Sequence, residues 1–378
     1  MTKPRLMSGM RPTGKLHIGH LLGALENWKK LQESYDCFYM VADLHALTTG
    51  YRKSHEIPEN IQEMVLDWLA CGITPEKSTL YIQSHVPEIS ELHLLLSMVV
   101  PVSWLERVPT YKQQLEELLK ERIDGEDLFE HQHSEAAVKV HHSQNPNNEI
   151  ERALIDRQGR VKAAKSTELD YLATYGFLGY PLLQTADILT MKGNAVPVGQ
   201  DQLPHLELAR EIVRRFHFIY GKEIFPEPEA LLSEAPFVPG IDGRKMSKSY
   251  NNSILISDSP EEIEEKVRQT ITDPQKIHKG DPGRPEICNI FFYHRFFSPQ
   301  AVVQEVDRTC RTGELGCVAD KKHLASILIE KLAPIRERRL EFSKKKNHVN
   351  EILHEGAKKA RAEAQKTLDE MKALIHLK

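Results

Sequence analysis

Short apolar runs alternate with amphipathic helices over the first hundred residues, and this alternation limits the possible folds more than any other feature. Apolar, strand-like runs occupy residues 5–9, 37–49 and 78–84, the second of them continuing into a loop. Helical periodicity of apolar residues follows each run, at residues 21–28, 56–73 and 89–100. This β-α-β-α-β order predicts an α/β, doubly wound parallel sheet of the Rossmann-like type, with helices on both faces.

The segment "PTGKLHIGH" (residues 12–20), which we call the histidine turn, connects the first strand to the first helix. Ligands of such sheets bind beyond the carboxyl ends of the strands, where this turn lies. Backbone N–H groups and the helix dipole at a helix start favour an anion such as phosphate. The turn is therefore a candidate phosphate site, although strand-to-helix turns alone are common.

Two changes of composition divide the chain. Residues 112–170 are polar and interrupt the alternation, which indicates a surface insertion within a catalytic domain of residues 1–256. Beyond residue 257 the pattern is almost entirely helical, and Ser259-Pro260-Glu261-Glu262 combines an N-cap, an N1 proline and first-turn acids. We therefore expect a C-terminal all-helical domain of residues 257–378.

Composition excludes several classes of protein. Hydrophobic residues make up 40% and charged residues 28% of 378 residues, which is typical of a globular protein. No run is long enough for a signal peptide or a membrane span, so a cytoplasmic location is expected and a membrane partner is not. A net charge of −4 provides no general attraction to nucleic acid, and DNA is not an expected partner.

Metal sites are not indicated by the spacing of metal-binding residues. The five cysteines form no C-x-x-C pair, which argues against a zinc site or a disulfide framework. Four histidines lie in the polar insertion, at His131, His133, His141 and His142. Their spacing matches no established metal geometry. Solvated side chains are the favoured interpretation, a metal site is the alternative, and we predict no protein-bound structural metal.

A second unusual segment is "DGRKMSKSYNN" (residues 242–252), which we call the lysine loop. Arg244, Lys245 and Lys248 lie there with two serines, after an Asp-Gly pair typical of a turn. A solvated basic turn is the ordinary interpretation. Combined with the histidine turn, however, a mobile lysine loop suits a polyphosphate, because its ammonium groups can follow charge onto departing pyrophosphate.

The pair of motifs resembles the two signatures of class I aminoacyl-tRNA synthetases. These are His17-Ile18-Gly19-His20 and Lys245-Met246-Ser247-Lys248-Ser249, in this order and separated by the predicted doubly wound domain. Outside the insertion, further segments resemble the bacterial tryptophanyl enzymes of this class: "MSGMRPTG", "VADLHALTT", "QSHVPE", "YPLLQTADIL", "VPVGQDQLPHLELARE" and "LAPIRERR".

The resemblance implies formation of an aminoacyl-adenylate from amino acid and ATP, followed by aminoacyl transfer to tRNA. The substrate carboxylate is the nucleophile, so alignment and charge stabilisation supply the catalysis. His17, His20, Lys245 and Lys248 are the catalytic candidates. Mg²⁺ is expected to arrive with ATP, held mainly by the phosphates.

By resemblance, the ATP site comprises Arg11, Pro12, Thr13, Gly19, His20, Gly199, Gln200, Asp201, Val238, Lys245, Met246, Ser247, Lys248 and Ser249. Asp201 is the expected ribose partner, and the backbone near Val238 is expected to meet adenine.

The amino-acid pocket is expected to include one face of a helix. Tyr180, Gln184 and Asp187 follow an i, i+4, i+7 spacing and share that face. Asp187 lies in an otherwise apolar helix and therefore needs a hydrogen-bond donor. The ring N–H of tryptophan would serve, as would a tyrosine hydroxyl, while a purely structural partner is the alternative. Gln202, Met7 and His45 complete the candidates, and His45 is equally compatible with a buried structural role.

Tryptophan is preferred over tyrosine, and the tyrosyl-tRNA synthetases remain the alternative. Gln184 is a departure, because many tryptophanyl enzymes carry methionine there and tyrosyl enzymes carry glutamine. Met7 favours tryptophan, since archaeal and eukaryotic tyrosyl enzymes place a tyrosine at that position. "PVGQDQ" followed by His205, and a tail without the small RNA-binding module common in bacterial tyrosyl enzymes, also favour tryptophan.

The resemblance further implies binding of tRNA(Trp) and a homodimer formed through the helix at residues 89–108. The basic run "RERRLEFSKKK" (residues 336–346) is the expected contact with tRNA phosphates, although such runs are often solvated helix faces. Two rival functions are weighed. A stand-alone adenylyltransferase would lack the lysine loop and helical tail. A non-enzymatic binding protein would be expected to have lost motif residues, whereas His17, His20, Lys245, Lys248 and Asp187 are all present.

Overall fold

A computed structural model describes residues 3–108, 174–232, 237–278 and 280–377 of the chain. Its sheet has five parallel strands in the order β3-β2-β1-β4-β5. The strands are β1 Arg5–Met10, β2 Asp36–Val41, β3 Ser78–Ile82, β4 Ala195–Val198 and β5 Glu229–Leu232. The strand order reverses between β1 and β4, so the predicted doubly wound α/β fold is confirmed.

Helices flank the sheet and form the C-terminal part of the chain. A π-helical turn, Leu21–Leu25, joins the first two helices, and a 3₁₀ turn, Tyr51–Glu56, joins the third and fourth. The helices are α1 Ile18–His20, α2 Glu26–Leu31, α3 Asp43–Gly50, α4 Ile57–Cys71, α5 Pro87–Ser97, α6 Val102–Glu106, α7 Tyr175–Thr190, α8 Leu203–Tyr220, α9 Pro260–Gln269, α10 Asn289–Phe297, α11 Gln300–Arg311, α12 Cys317–Ser343 and α13 Lys346–Leu374.

Local sequence signals explain where two of these helices begin and end. α4 buries the predicted apolar face and ends at Gly72, whose φ of 97° is a left-handed conformation that glycine adopts readily. α9 begins at Ser259, whose hydroxyl accepts the Glu262 N–H, while the Glu262 carboxylate accepts the Ser259 N–H. This reciprocal capping confirms the predicted start of the helix.

The segment after β2 differs from the prediction, because residues 43–50 form helix α3 rather than a loop. Its first turn has distant partners: the Gln83 side-chain oxygen accepts the Leu44 and His45 N–H groups at 3.1 and 3.4 Å. Gln83 is fully buried and follows β3 directly. A side chain some 40 residues away thus supports the start of this helix, which local sequence could not reveal.

The C-terminal helices share the hydrophobic core of the sheet. Residues of α9, α10, α12 and α13 belong to one core cluster together with Leu6, Tyr39 and Leu80 of the sheet. On α13, Ala357, Ala360, Ala364, Leu368 and Met371 belong to a second cluster with Phe38 and Tyr81 of the sheet. The division into domains at residue 256 stays a prediction, and the insertion at 112–170 lies outside the described residues.

Candidate active site

The reversal of strand order brings β1 and β4 side by side, with Leu6 opposite Ala195. Both strands run in the same direction, so the segments that follow them meet at one edge of the sheet. The histidine turn follows β1, and Gly199 to Gln202 follow β4. This edge therefore brings together predicted site residues that are far apart in the sequence.

The two histidines of the histidine turn have defined tautomers. The His17 Nδ1 accepts the Gly19 N–H at 3.1 Å, and the His20 Nδ1 accepts the His17 N–H at 3.3 Å. Each neutral ring must then carry its proton on Nε2, the other ring nitrogen. Backbone contacts thus leave both Nε2–H groups as hydrogen-bond donors.

Burial keeps both rings neutral. It lowers the pKa of His17 to about 3, helped by the neighbouring His20 and by Lys248 and Lys245. It lowers the pKa of His20 to about 4, with a smaller contribution from Lys248. At neutral pH the rings are therefore polar donors rather than cations.

Two glycines make this compact turn possible. Gly14 has a φ of 81°, a left-handed conformation, and a Cβ there would lie 2.8 Å from the Asn60 side-chain oxygen. A Cβ on Gly19 would lie 2.9 Å from the His17 ring. The position of the His17 ring therefore leaves no room for a side chain at residue 19, a steric requirement that the sequence did not indicate.

The lysine loop lies against the histidine turn. The Lys248 ammonium group donates to the Thr13 carbonyl, to the Thr13 hydroxyl at 3.1 Å and to the Lys15 carbonyl at 2.9 Å. His17 also pairs through its backbone with Leu255, three residues after the end of the lysine loop. Burial lowers the pKa of Lys248 to about 8, and Asp67 opposes that shift. The two predicted motifs therefore form one continuous site.

A buried amide shapes the lysine loop. Asn252 donates to the Asp242 carboxylate at 2.7 Å and to the Lys245 carbonyl at 3.1 Å, while its oxygen accepts the Ser247 N–H at 2.8 Å. Two backbone hydrogen bonds connect the loop to the segment before it. The Met246 N–H donates to the Val238 carbonyl, and the Gly240 N–H donates to the Arg244 carbonyl. Val238 also lies beside Gly19. Met246 is buried, and Lys245 and Ser249 are exposed.

A cavity of about 370 Å³ lies at the carboxyl ends of β1 and β4, within the ~300–1,000 Å³ usual for small-molecule sites. All six residues predicted for the amino-acid pocket line it: Met7, His45, Tyr180, Gln184, Asp187 and Gln202. Arg11 and Gly199, predicted for the ATP site, line it too. Additional lining residues that the sequence did not single out are Ser8, Gly9, Met40, Ala42, Thr48, Phe177, Ile188, Val196, Pro197 and Val198.

Asp187 has two protein partners at the base of this cavity. His45 donates from Nε2 to its Oδ2 at 2.9 Å, and the Gln83 amide donates to its Oδ1 at 2.7 Å. Burial raises the pKa of Asp187, against the stabilising effect of these bonds. A carboxylate offers about four acceptor positions, so two remain for a donor entering the cavity.

The polar groups around the cavity form further bonds with one another. The Tyr180 hydroxyl lies 3.2 Å from the His205 Nε2, and the Gln202 amide donates to Asp201 at 2.8 Å. Arg11 donates to the Thr49 hydroxyl at 2.5 Å. Of the other residues predicted for the ATP site, Pro12 is buried, and Thr13, Gln200 and Asp201 are exposed. None of these four lines the cavity.

Gln83, Asn252 and Asp67 are site-supporting residues that the sequence did not identify. Each is a buried polar side chain. The partners of Gln83 and Asp67 lie in other segments, whereas Asn252 bonds within the lysine loop. For Asp67, a carboxylate within the apolar stretch of α4 was a usable signal. Gln83 and Asn252 carried no local signal.

Two other predictions concern the insertion and the basic run. The insertion histidines His131, His133, His141 and His142 lie outside the described residues. In the basic run, Arg338 donates to the Ala70 carbonyl and Arg339 to Asp67, both at 2.6 Å. These two arginines therefore contact α4 rather than facing outward. Within the described ranges, no helix is long and apolar enough to cross a membrane.

Comparison with known proteins places this geometry in a family context. The profile described as "tRNA synthetases class I (W and Y)" matches residues 1–132 and 138–333. Tryptophan–tRNA ligase of Aquifex aeolicus is 48% identical over 398 residues, covering 99% of this chain and 100% of that protein. Tryptophan–tRNA ligase of Thermotoga maritima is 44% identical over 375 residues and covers 99% of both chains.

Solved structures agree with the sequence comparison. Tryptophanyl-tRNA synthetase of Campylobacter jejuni, complexed with ADP and tryptophan, has a TM-score of 0.78 and 30% identity, covering 99% of this chain and 100% of that chain. A tyrosyl-tRNA synthetase of Archaeoglobus fulgidus shares only the fold, with a TM-score of 0.58, 20% identity and coverage of 89% and 90%.

Proposed function

Because the chain belongs to the class I tRNA synthetases for tryptophan and tyrosine, we propose that the cavity and the two motifs together bind tryptophan and ATP for adenylate formation. The chain is a tryptophan–tRNA ligase, since relatives of that name match its whole length at up to 48% identity. The tyrosyl enzymes share the family profile, but the tyrosyl structure that matches is only 20% identical and shares the fold alone. The proposal concerns which residues perform each part of the reaction.

The histidine turn and the lysine loop bind the triphosphate from two sides. His17 and His20 donate from Nε2 to phosphate oxygens. Each Nδ1 accepts a backbone N–H, which favours a proton on Nε2. Lys248 and Lys245 supply cationic groups that follow charge onto the departing pyrophosphate. The observation that carries this proposal is the contact of the Lys248 ammonium group with Thr13 and Lys15.

Tryptophan occupies the cavity with its ring N–H directed to Asp187. Gln83 and His45 hold that carboxylate, and Met7, Tyr180 and Gln184 surround the ring. Gln202 meets the ammonium or carboxylate group of the substrate near the end of β4. The substrate carboxylate then faces the α-phosphorus and attacks it, so no activated serine or cysteine is needed.

ATP is the nucleotide substrate, and Mg²⁺ accompanies it. No three His, Cys, Asp or Glu side chains come together as metal ligands in the part of the chain that the structure describes. Mg²⁺ is held mainly by the phosphates in this proposal, because this ion keeps several waters and usually needs few protein ligands. Its chemistry would be neutralisation of phosphate charge.

tRNA(Trp) binds toward the helical part of the chain, and two copies form a cytoplasmic homodimer. Exposed apolar side chains on the helices after β3 support self-association: Leu94 is 53%, Met98 70% and Val102 58% exposed. Of the basic run 336–346, the lysines at its end are the candidate phosphate contacts, since Arg338 and Arg339 contact α4.

ATP–pyrophosphate exchange with each of the twenty amino acids tests the proposal. Exchange is expected with tryptophan, and Lys248→Ala should slow it by orders of magnitude while tryptophan binding survives. Lys222→Ala is a matched control, because Lys222 is an exposed lysine outside both motifs. Unchanged turnover in Lys248→Ala would reject its phosphate role.

A further inference from the structure

Asp67 is a fully buried carboxylate on α4, among the apolar residues Met64, Val65 and Trp68. A buried charge is costly unless it is paired and hydrogen-bonded, and an apolar residue would fill such a position at no electrostatic cost. The partners of Asp67 therefore indicate what the carboxylate does in this protein.

Its two oxygens bind two different parts of the chain. Oδ2 accepts the Leu16 N–H of the histidine turn at 2.6 Å. Oδ1 accepts the Arg339 Nε–H of α12 at 2.6 Å, and the same guanidinium donates to Glu63 at 2.6 Å. Asp67 thus joins the histidine turn to a C-terminal helix through a single buried group.

The bonded N–H belongs to the same peptide unit as the carbonyl that receives Lys248. Leu16 N–H and Lys15 C=O are the two ends of one amide, and Lys15 C=O accepts the Lys248 ammonium group at 2.9 Å. A hydrogen bond at one end of an amide polarises it and strengthens the bond at the other. A continuous chain therefore runs from Arg339 through Asp67 and this peptide to Lys248.

We propose that Asp67, anchored by Arg339, is a positioning residue of the nucleotide site that holds the 15–16 peptide and through it the ammonium group of Lys248. The inference rests on the proposed phosphate role of Lys248. Asp67 itself touches no substrate in this scheme. Its negative charge lies behind the peptide and favours the charged form of Lys248, which burial disfavours.

Other charged and titratable groups surround this chain of bonds. Glu63 is already bound by Arg339, and burial keeps the imidazoles of the histidine turn neutral. Among the described residues, the groups that interact with Lys248 or Asp67 are His17 and His20 on the turn, Glu63 and Cys71 on α4, and Arg339 on α12, while Lys245 of the lysine loop interacts with His17.

The test is the pH dependence of kcat/KM for ATP in pyrophosphate exchange, comparing the intact chain with Asp67→Asn. The asparagine keeps the shape, and its oxygen can still accept the Leu16 N–H, but its NH2 group cannot accept the Arg339 Nε–H, so the charge and that one bond are removed. The alkaline limb should move to lower pH by about 0.5–1 unit, the size expected for one screened ion–ion interaction. A uniform drop in rate with an unmoved limb would mean a purely structural role and overturn the proposal.

Asp273→Asn is the matched control, because Asp273 is also buried and is bound by an arginine and by backbone N–H groups, none of which belongs to the lysine loop. It should leave the alkaline limb in place. A shift as large as that of Asp67→Asn would overturn the assignment.

A pair of variants on α12 decides the matter if Asp67→Asn does not fold. Arg339→Gln leaves Asp67 buried beside Glu63, so the carboxyl takes up a proton and the limb should again move to lower pH. Arg339→Lys keeps the cation and should restore the limb. Equal profiles for the two would contradict the proposal. Lys248→Ala separates this failure from that of the proposed function, because normal exchange in that variant would remove the premise itself.

Discussion

At the scale of single residues, we expect Lys248 to set the alkaline limit of activity. Burial lowers its pKa to about 8, so the ammonium group loses its proton as the pH rises through that value. A neutral amine no longer stabilises phosphate charge, and kcat/KM for ATP should therefore fall above about pH 8. The measurement is pyrophosphate exchange from about pH 5.5 to about pH 9.5.

The same profile tests the state of the histidines. With pKa values of about 3 and 4, His17 and His20 stay neutral throughout that range and should produce no loss on the acid side. An acid limb near the ordinary histidine pKa, ~6.5, that disappears in His20→Gln would contradict the neutral-donor role.

Asp187 is expected to control affinity for the amino acid. Asp187→Ala removes the acceptor proposed for the ring N–H, so KM for tryptophan should rise by about 100-fold or more, because a site built around a hydrogen bond depends strongly on it. KM for ATP should change little. The measurement is exchange at varied tryptophan and at varied ATP.

Thr190→Ala serves as the control on the same helix. Thr190 is equally buried, but its hydroxyl bonds within the helix, to the Ala186 carbonyl at 2.6 Å. Its replacement should affect stability and leave KM for tryptophan unchanged. An unaffected KM for tryptophan in Asp187→Ala would reject the ring-donor role.

Site residues on one regular element were predictable, whereas those held by distant partners were not. Helical spacing alone placed Tyr180, Gln184 and Asp187 on one face, and all three line the cavity. The role of Gln83 could not be predicted, because its partner Asp187 lies 104 positions away and only the folded chain brings the two together. The roles proposed for the lining residues remain predictions.

At the scale of elements, the contact between α13 and β3 depends on one glycine. A Cβ on Gly356 would lie 1.8 Å from the Leu80 carbonyl oxygen. Gly356→Ala must therefore push the helix from the strand, since no rotamer can relieve a clash with backbone. We expect a loss of about 1–3 kcal/mol in the free energy of unfolding, measured by denaturant titration, despite alanine's better helix propensity.

Glu355→Ala is the neighbouring control. Glu355 is exposed and pairs only with exposed Lys358 among its described contacts, so its removal should change stability by less than about 0.5 kcal/mol. Equal stabilities for Gly356→Ala and Glu355→Ala would show that the close approach of helix and strand is not required.

Elements with strong local signals were predictable from sequence, whereas α3, whose first turn depends on a distant side chain, was not. Gly72 and the Ser259 capping box marked an end and a start correctly. The start of α3 instead receives its hydrogen bonds from Gln83, beyond the reach of local propensity. The pairing of β1 with β4 likewise depends on a long connection, so the sequence predicted a doubly wound parallel sheet but neither the strand order nor this register.

At the scale of the whole molecule, the helical tail is part of the core on which the sheet depends. α13 contributes to the clusters on both faces, and ion pairs of Arg361 with Glu88 and of Arg5 with Glu363 connect it to α5 and β1. The predicted division at residue 256 stays a prediction, and composition alone could not show that these helices pack against the sheet, because it does not record which faces meet.

A chain ending at Lys345, without α13, should therefore lose cooperative folding. The truncation uncovers β3 and removes eight buried apolar residues: Val349, Ile352, Leu353, Ala357, Ala360, Ala364, Leu368 and Met371. Each large buried side chain contributes ~1.5–3 kcal/mol, so the sum approaches the whole stability of a domain, ~5–15 kcal/mol. Calorimetry should show no sharp transition, and adenylate formation should be absent although both motifs are intact. A chain lacking only residues 377–378 should unfold as the full chain does, and a cooperative, active truncation at Lys345 would prove the sheet independent of its tail.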